Sequence, residues 1–119
     1  MLAKLFSKKQ AGDEAERAAE RFLIAQGLSL VERNFRTRFG EIDLIMRDGE
    51  SLIFVEVRLR KNNDFGGAAG SIGSAKQRRI ITAAQHYIAP LRHPPPCRFD
   101  AVLMMEGKIE WLRDAFSTN

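Results

Sequence analysis

The sequence has few of the residues that mark several common protein classes. Cys97 is the single cysteine, which excludes an intrachain disulfide and agrees with a reducing, cytoplasmic compartment. No apolar run approaches the roughly 18–20 residues that span a bilayer, so we expect no membrane segment. The first ten residues contain Lys4, Lys8 and Lys9 but no long apolar stretch. We therefore interpret residues 1–10 as a basic tail and not as a secretory signal.

Residues that bind zinc or stack on bases are also scarce. The two histidines, His86 and His93, have no metal-ligand spacing with each other or with Cys97, which argues against zinc. One tryptophan and one tyrosine make a poor stacking platform for single-stranded nucleic acid. We therefore expect Trp111 and Phe116 to pack in the core, and Cys97 to be a small buried hydrophobe.

The residues that are present favour one compact domain with an anionic partner. A chain of 119 residues with 45% hydrophobic residues can bury one modest core, so we expect a single domain over residues 11–119. The net charge of +4 favours anionic ligands. The basic residues form three clusters near the chain's acidic centre: Arg33, Arg36 and Arg38; Arg58, Arg60 and Lys61; and Lys76, Arg78 and Arg79. Such clusters around acidic residues are expected where phosphates approach a metal.

The most informative segment predicts a β-hairpin with carboxylates at its open end. Asp48-Gly49 lies between two apolar stretches and suits a two-residue type I′ turn. That turn would place Glu41 opposite Glu56, with Asp43 diagonal to Glu56. The opposite face would be entirely apolar, with Ile42, Leu44, Met46, Ile53, Val55, Val57 and Leu59. The face that carries the acids is apolar near the turn and charged at the far end.

Carboxylates that converge in a sheet need compensation, because like charges placed opposite each other destabilise a strand pair. Asp43 and Glu56 are close enough in this register to share one cation, and oxygen ligands suit Mg²⁺ or Mn²⁺. The alternative is an edge without metal, on which Arg58 and Arg60 neutralise the acids. The residue pattern alone leaves both interpretations open.

A helix predicted over Gly12–Gln26 offers a third carboxylate. Its apolar stripe consists of alanines and Phe22, and Gly27 ends it. Glu16 and Glu20 lie along a row beside that stripe, so either glutamate could point into a site on the sheet. Asp13 and Glu16 also fit a capping box, which would give Glu16 a purely structural role.

The remaining elements complete an α/β domain. They are a strand, a glycine-rich loop, a helix and two strands, over residues 28–36, 61–74, 74–91, 98–106 and 108–113. This order predicts a mixed sheet covered on both faces by helices. The loop is either a strand-guiding lid or a plain connection. Ser71 or Ser74 would cap the second helix, whose inward face would carry Ile80, Ala84, Tyr87 and Leu91. Lys76 lies in its first turn, which suits a phosphate, although a solvated charge would explain it equally well.

The motif series resembles a nuclease superfamily. A helical glutamate, then an Asp, then Glu-x-Lys on the next strand is the order of the PD-(D/E)xK nucleases. Gly-Glu-Ile-Asp-Leu-Ile at 40–45, followed by Phe-Val-Glu-Val-Arg at 54–58, more closely resembles the small bacterial YraN-type family. That family is endonuclease-like and related to Holliday-junction resolvases. The resemblance extends from Gly12 to Phe116.

The resemblance implies a fold, an activity and a set of site residues. The fold would be the three-layer α-β-α restriction-endonuclease-like fold with a central mixed sheet. The activity would be metal-assisted phosphodiester hydrolysis of nucleic acid, most readily structured or branched DNA, and relatives that act as dimers suggest a homodimer. The implied site residues are Glu16, Asp43, Glu56 and Arg58 for catalysis, Asp43 and Glu56 for Mg²⁺ or Mn²⁺, and Arg36, Arg60 and Lys76 for nucleic acid.

One departure from the superfamily pattern concerns the lysine. Arg58 stands where the superfamily has the Lys of Glu-x-Lys. Arginine stays protonated in proteins, so Arg58 cannot act as a general base, although its guanidinium can still bind a phosphate. The competing interpretation is therefore a catalytically degenerate nuclease fold that serves as a nucleic-acid-binding or protein-interaction module.

Overall fold

The structure is a computed structural model that describes residues 8–60 and 72–117. The predicted tail up to residue 7 and most of the glycine-rich loop lie outside the described residues. The elements are α1 (Lys8–Ala25), β1 (Ser29–Arg36), β2 (Glu41–Asp48), β3 (Ser51–Leu59), α2 (Ser74–Ile88), β4 (Cys97–Met105) and β5 (Lys108–Phe116). The predicted order of elements is confirmed.

The strands form one five-stranded sheet in the order β1-β2-β3-β4-β5. Neighbouring strands are antiparallel except β3 and β4, which are parallel and are connected through α2. On the α1 side the buried cluster is Ala19, Leu23, Leu28, Leu44, Met46, Ile53, Val55 and Val102. On the α2 side it includes Ile42, Ile45, Leu52, Phe54, Ile80, Ala83, Ala84, Phe99, Ala101 and Phe116. The predicted α/β domain with a mixed sheet between helices is confirmed.

The hairpin between β2 and β3 turns one residue later than predicted. Asp48 pairs with Ser51, so the two loop residues are Gly49 and Glu50. Gly49 has φ 62°, which fits a type II′ turn with glycine at the first central position. Because this changes the pairing by two residues, the predicted pair of Glu41 with Glu56 is wrong.

Side-chain alternation breaks where β1 and β2 approach the open end of the hairpin. Arg33 bonds to a side chain of α1, whereas Phe35, two residues later, packs on a ring of α2. In β2, Leu44 and Ile42 divide between the two faces in the same way, so the predicted grouping of Ile42 with Leu44 is wrong. Asn34 lies between the divergent β1 residues with φ 52°, and residues two apart normally share a face. Regular side-chain alternation is therefore interrupted beside Asp43 in both strands.

The helices correct two further expectations. Because α1 begins at Lys8, Asp13 lies in its second turn and cannot cap its N-terminus, so the capping-box explanation of Glu16 is wrong. Gly73 is the N-cap of α2 and no described side chain caps it, so the predicted cap by Ser74 is wrong, whereas Ser71 lies outside the described residues. Within the described residues, neither helix is long and apolar enough to cross a membrane.

Several packing expectations concern the second half of the chain. Phe116 is buried and Trp111 packs against the α1-side cluster, as predicted. The expectation that Leu91 faces inward is wrong, because α2 ends at Ile88 and Leu91 lies exposed beyond it. Cys97 is also exposed and not a buried hydrophobe, since it stands at the start of β4.

Candidate active site

Three predicted carboxylates from three elements meet near the open end of the β2–β3 hairpin. The Asp43 Oδ2 atom accepts a hydrogen bond of 2.8 Å from the backbone N–H of Val57. The Asp43 side chain also lies within hydrogen-bonding reach of Glu56 on β3 and of Glu16 on α1. A hydrogen bond between two carboxyl groups requires one of them to hold a proton. The structure thus brings together Glu16, Asp43 and Glu56.

Burial and crowding raise the pKa values of these acids. Burial, and then the nearby Asp43 carboxylate, raise the pKa of Glu56 to about 8. The same two causes, in the same order, raise the pKa of Glu16 to about 7. Burial also raises the pKa of Asp43, although the Val57 N–H and the Glu56 side chain act in the opposite direction. Near neutral pH the cluster therefore retains protons that a divalent cation would displace.

Two cations approach the Glu56 carboxylate. The Arg58 Nε atom lies 3.3 Å and the Lys76 Nζ atom 3.7 Å from Glu56 Oε2. Although close, Arg58 Nε forms no hydrogen bond with this oxygen, and Glu56 Oε1 is likewise buried without a hydrogen-bond partner among the described residues. An unpaired buried polar atom costs about 1–3 kcal/mol, so such atoms are expected mainly where a ligand completes the bonding.

The donor set fits a hard divalent cation. Mg²⁺ is usually bound by one or two carboxylates, with waters and phosphate oxygens completing an octahedron. Asp43 and Glu56 supply such a pair, and the unpartnered Glu56 oxygen is available as a ligand. Among residues 8–60 and 72–117, no group of three or more His, Cys, Asp or Glu side chains has the geometry of a metal cage. The arrangement therefore suits a two-carboxylate site completed by water and phosphate.

A basic cavity adjoins the carboxylates. It has a volume of about 400 Å³ and lies between the β1–β2 turn and α2. Its lining residues are Arg36, Thr37, Arg38, Phe39, Gly40, Glu41, Lys76, Arg79 and Ile80. Four cations thus face one carboxylate, and Lys76 belongs both to this cavity and to the Glu56 ion pair. The cavity can hold phosphate groups beside the acidic cluster.

The predicted nucleic-acid-binding residues divide into two groups. Arg36 and Lys76 line the basic cavity, where Arg36 also forms an exposed ion pair of 3.1 Å with Glu41. Arg60 follows β3, and its backbone N–H donates to the carbonyl of Met104 on β4. The residues that line the cavity do not include Arg60.

Two further residues shape the site, of which the sequence interpretation considered Glu20 as an alternative to Glu16 and missed Phe39. Glu20 accepts two hydrogen bonds from the Arg33 guanidinium, at 2.6 and 2.9 Å, and so fastens α1 to β1 one turn after Glu16. Phe39 is exposed on the β1–β2 turn beside the basic cavity. The available signal for Phe39 was an aromatic residue between Arg38 and Gly40, just before the hairpin. Glu20, the alternative to Glu16, bonds to Arg33 in the structure.

The chain is similar in sequence to the proteins of one family. A family model described as "Uncharacterised protein family UPF0102" matches residues 15–104. A UPF0102 protein of Nitrosospira multiformis is 60% identical over 111 residues, which are 91% of this chain and 93% of the relative. A UPF0102 protein of Methylobacillus flagellatus is 53% identical over 113 residues, covering 92% of this chain and 98% of the relative. The chain belongs to the UPF0102 family.

The segment that defines the UPF0102 match contains the whole candidate site. Residues 15–104 include the three carboxylates, Arg58 and Lys76, together with the turn that carries Phe39. The description of UPF0102 assigns no chemistry to these residues. The support for a connection with nucleases therefore comes from the chemistry of the site and from the motif resemblance.

Proposed function

We propose that this UPF0102 protein is an endonuclease-like, nucleic-acid-binding protein that hydrolyses phosphodiester bonds with Mg²⁺ or Mn²⁺ held by Asp43 and Glu56. The observation that carries the proposal is the cluster of Glu16, Asp43 and Glu56, with its unpartnered buried oxygen. The basic cavity beside it supports the proposal from the substrate's side. Acids that select a cation, next to cations that select a phosphate, are what metal-assisted phosphoryl chemistry requires.

In this proposal each residue of the site has a separate role. When bound at Asp43 and Glu56, the metal would lower the pKa of a water and neutralise charge on the phosphate. Glu16, which lies close to Asp43, would orient that water or contribute to a second ion. Arg58, which stays protonated, would hold a phosphate oxygen with its guanidinium. The backbone N–H of Val57 fixes the orientation of Asp43.

Lys76 is proposed to supply the amine that the strand lacks. Its ammonium group approaches the Glu56 carboxylate to 3.7 Å from α2, and its side chain is partly exposed in the basic cavity. A lysine placed there reaches both the metal-binding carboxylate and a phosphate. Arg58 occupies the position of the motif lysine on β3, and Lys76 on α2 would supply the amine in its place. This arrangement favours a nuclease over a degenerate fold.

The proposed partner is DNA with a branched or otherwise interrupted structure. Its support is the motif resemblance to resolvase-related proteins, together with the basic clusters around the acidic cluster. A homodimer acting on two strands in the cytoplasm is part of the same proposal, on the same resemblance.

A cleavage assay with paired variants tests the function. Wild-type protein should bind Mg²⁺ or Mn²⁺ in calorimetry and cut branched DNA slowly in their presence. Asp43→Asn and Glu56→Gln should weaken metal binding roughly tenfold or more and abolish cleavage, because each removes a charged oxygen ligand. Asp48→Asn and Glu50→Gln, exposed residues at the other end of the same hairpin, are the controls and should behave as wild type.

The alternative function is a degenerate nuclease fold that binds nucleic acid without cutting it. Arg58 in place of the motif lysine favours this alternative. Salt-sensitive DNA binding without metal-dependent cleavage would support it. Calorimetry that detects no divalent-ion binding, or equal binding by Asp43→Asn, would reject the proposed metal site. Robust cleavage that survives Asp43→Asn would place the catalytic centre elsewhere.

A further inference from the structure

We propose that Phe39 is a platform for an unpaired base, so that the preferred nucleic acid carries a single-stranded segment next to the cleavage site. This inference rests on the proposed function, because it assumes a nucleic acid in the basic cavity. It assigns to Phe39 a recognition role that the low number of tryptophan and tyrosine residues had argued against.

The ring of Phe39 is exposed and held in a fixed orientation. Phe39 is 45% exposed, although it is a large apolar residue. Its ring stacks on that of His86, with centroids 5.0 Å apart and planes only 17° from parallel. The exposed Arg38 guanidinium lies 5.4 Å from the ring centroid, and a base can take its place as Arg38 turns to a phosphate.

The turn that carries Phe39 is rigid. The Thr37 hydroxyl accepts hydrogen bonds from the N–H groups of Phe39 and Gly40 and donates one to the carbonyl of Gly40. A Cβ atom on Gly40 would come within 2.7 Å of the Arg79 carbonyl oxygen, so only glycine lets the turn sit this close to α2. A pre-organised aromatic ring loses little freedom when a ligand stacks on it.

Cations line two cavities that share the ring. Phe39 lines the 400 Å³ cavity and also a second cavity of about 260 Å³, whose other lining residues are Ala75, Arg78, Arg79 and Thr82. Both cavities include Phe39 and Arg79. Phosphate-binding cations that flank an aromatic ring are the arrangement that proteins use to bind single strands. A paired base is stacked within its duplex and cannot use this ring.

The platform is continuous with the acidic cluster. Lys76 lines the larger cavity together with Phe39, and its ammonium group also approaches Glu56. A strand whose base stacks on Phe39 therefore runs through the basic cavity towards the proposed metal site. The ring would select substrates in which a single-stranded segment begins near the bond to be cut.

Binding of two related DNA molecules tests the platform. The probes are a blunt duplex and the same duplex with a single-stranded extension, titrated in EDTA at constant salt so that no cleavage occurs. Phe39→Ala and Phe39→Leu should weaken binding of the extended duplex roughly 5- to 100-fold, the value of one base stack. Binding of the blunt duplex should not change, and Phe39→Tyr, which keeps the ring, should bind as wild type.

Ile24→Ala is the matched control. Ile24 is 47% exposed and lies on α1, on the opposite face of the sheet, so its loss removes similar apolar surface away from the cavity. An equal loss of affinity for both DNA molecules in the Phe39 variants, or wild-type affinity in Phe39→Ala, would overturn the platform. The cleavage test with Asp43→Asn does not depend on either result. Competition by polyglutamate as strong as by single-stranded DNA would also overturn it. If wild-type protein binds neither DNA, the proposed function fails together with the platform.

Discussion

Two buried carboxylates on adjacent strands show how differently one fold can treat the same chemical group. Asp100 on β4 is 0% exposed, and Glu56 on β3 is 4% exposed. The β3–β4 register pairs Asp100 with Val55, the residue immediately before Glu56. Asp100 accepts four hydrogen bonds within the chain, two from Arg98 and one each from the Trp111 indole and the Asp114 backbone N–H. Among residues 8–60 and 72–117, no such bond reaches Glu56 Oε1.

The difference separates structure from function. The bonds of Asp100 join β4 to the part of β5 where Asp114 takes a positive φ of 55°, so the carboxylate stabilises an irregular strand pair. Glu56 is instead crowded by Asp43, and its two cations approach without saturating it. Proteins retain such an unfavourable arrangement mainly where a ligand relieves it.

The largest expected effect is on stability at Asp100. Asp100→Asn leaves the Arg98 guanidinium without its charged partner and should lower the free energy of unfolding by about 3–5 kcal/mol, as removal of one member of a buried ion pair does. Glu56→Gln relieves repulsion with Asp43 and should leave metal-free stability unchanged or slightly higher. Urea unfolding of both variants in EDTA measures the contrast. Equal destabilisation would mean that Glu56 is a structural residue like Asp100.

The next effect concerns catalysis by Lys76. Lys76→Ala should reduce metal-dependent cleavage about 100-fold, the lower range for a lost acid–base group, and Lys76→Arg should restore DNA binding but not the rate. Arg58→Lys should weaken DNA binding and leave cleavage unimproved, because the amine is already supplied from α2. Single-turnover rates at saturating DNA separate rate from binding. A higher rate in Arg58→Lys would instead identify the strand position as the site that lacks its lysine.

A smaller effect is the pH dependence of metal binding. The pKa of Glu56 is raised from 4.5 to about 8, so its contribution to metal-free stability is complete below pH 4.5 and is lost as the pH rises through 8. Mg²⁺ needs the ionised form, so its affinity should rise from pH 6 towards pH 8 with release of protons. Calorimetry in two buffers of different ionisation enthalpy counts those protons. Glu56→Gln should show weaker binding with fewer released protons and a smaller pH dependence, because Glu16 and Asp43 remain; an unchanged profile in that variant would assign the protons to another group.

The sequence predicted the position of these residues along the hairpin better than their partners. The pattern placed Asp43 and Glu56 near its open end, and a two-residue error in register leaves them there. The error itself came from the turn, since Gly49 serves as the first loop residue. The division of Ile42 and Leu44 between faces, opposite the positive φ of Asn34 in β1, departs from ordinary strand alternation and only the folded sheet reveals it.

Local sequence patterns did not predict the contacts between distant segments. The approach of Lys76 to Glu56 requires that the β3–α2 connection return α2 to the open end of the hairpin, and no spacing in the sequence encodes that path. Asp100 offered Arg98 two residues away on the same strand, but its bond from Trp111 crosses to β5. The fold class followed from the order of elements, whereas the candidate site needed the fold to choose among several plausible carboxylates.

The smallest expected effect, a change in the salt dependence of DNA binding, sharpens the same comparison. The Arg98 guanidinium is hydrogen-bonded to the Asp100 carboxylate. Arg36 and Lys76 instead line the basic cavity, where they can displace counterions from phosphates. The double variant Arg36→Ala, Lys76→Ala should flatten the slope of log affinity against log salt by roughly one to two units, one for each lost phosphate contact. Lys108→Ala, an exposed lysine on β5, should leave the slope unchanged. A wild-type slope of zero would mean that the cations near Glu56 meet no phosphate, and the cavity would then lose its role in the proposed function.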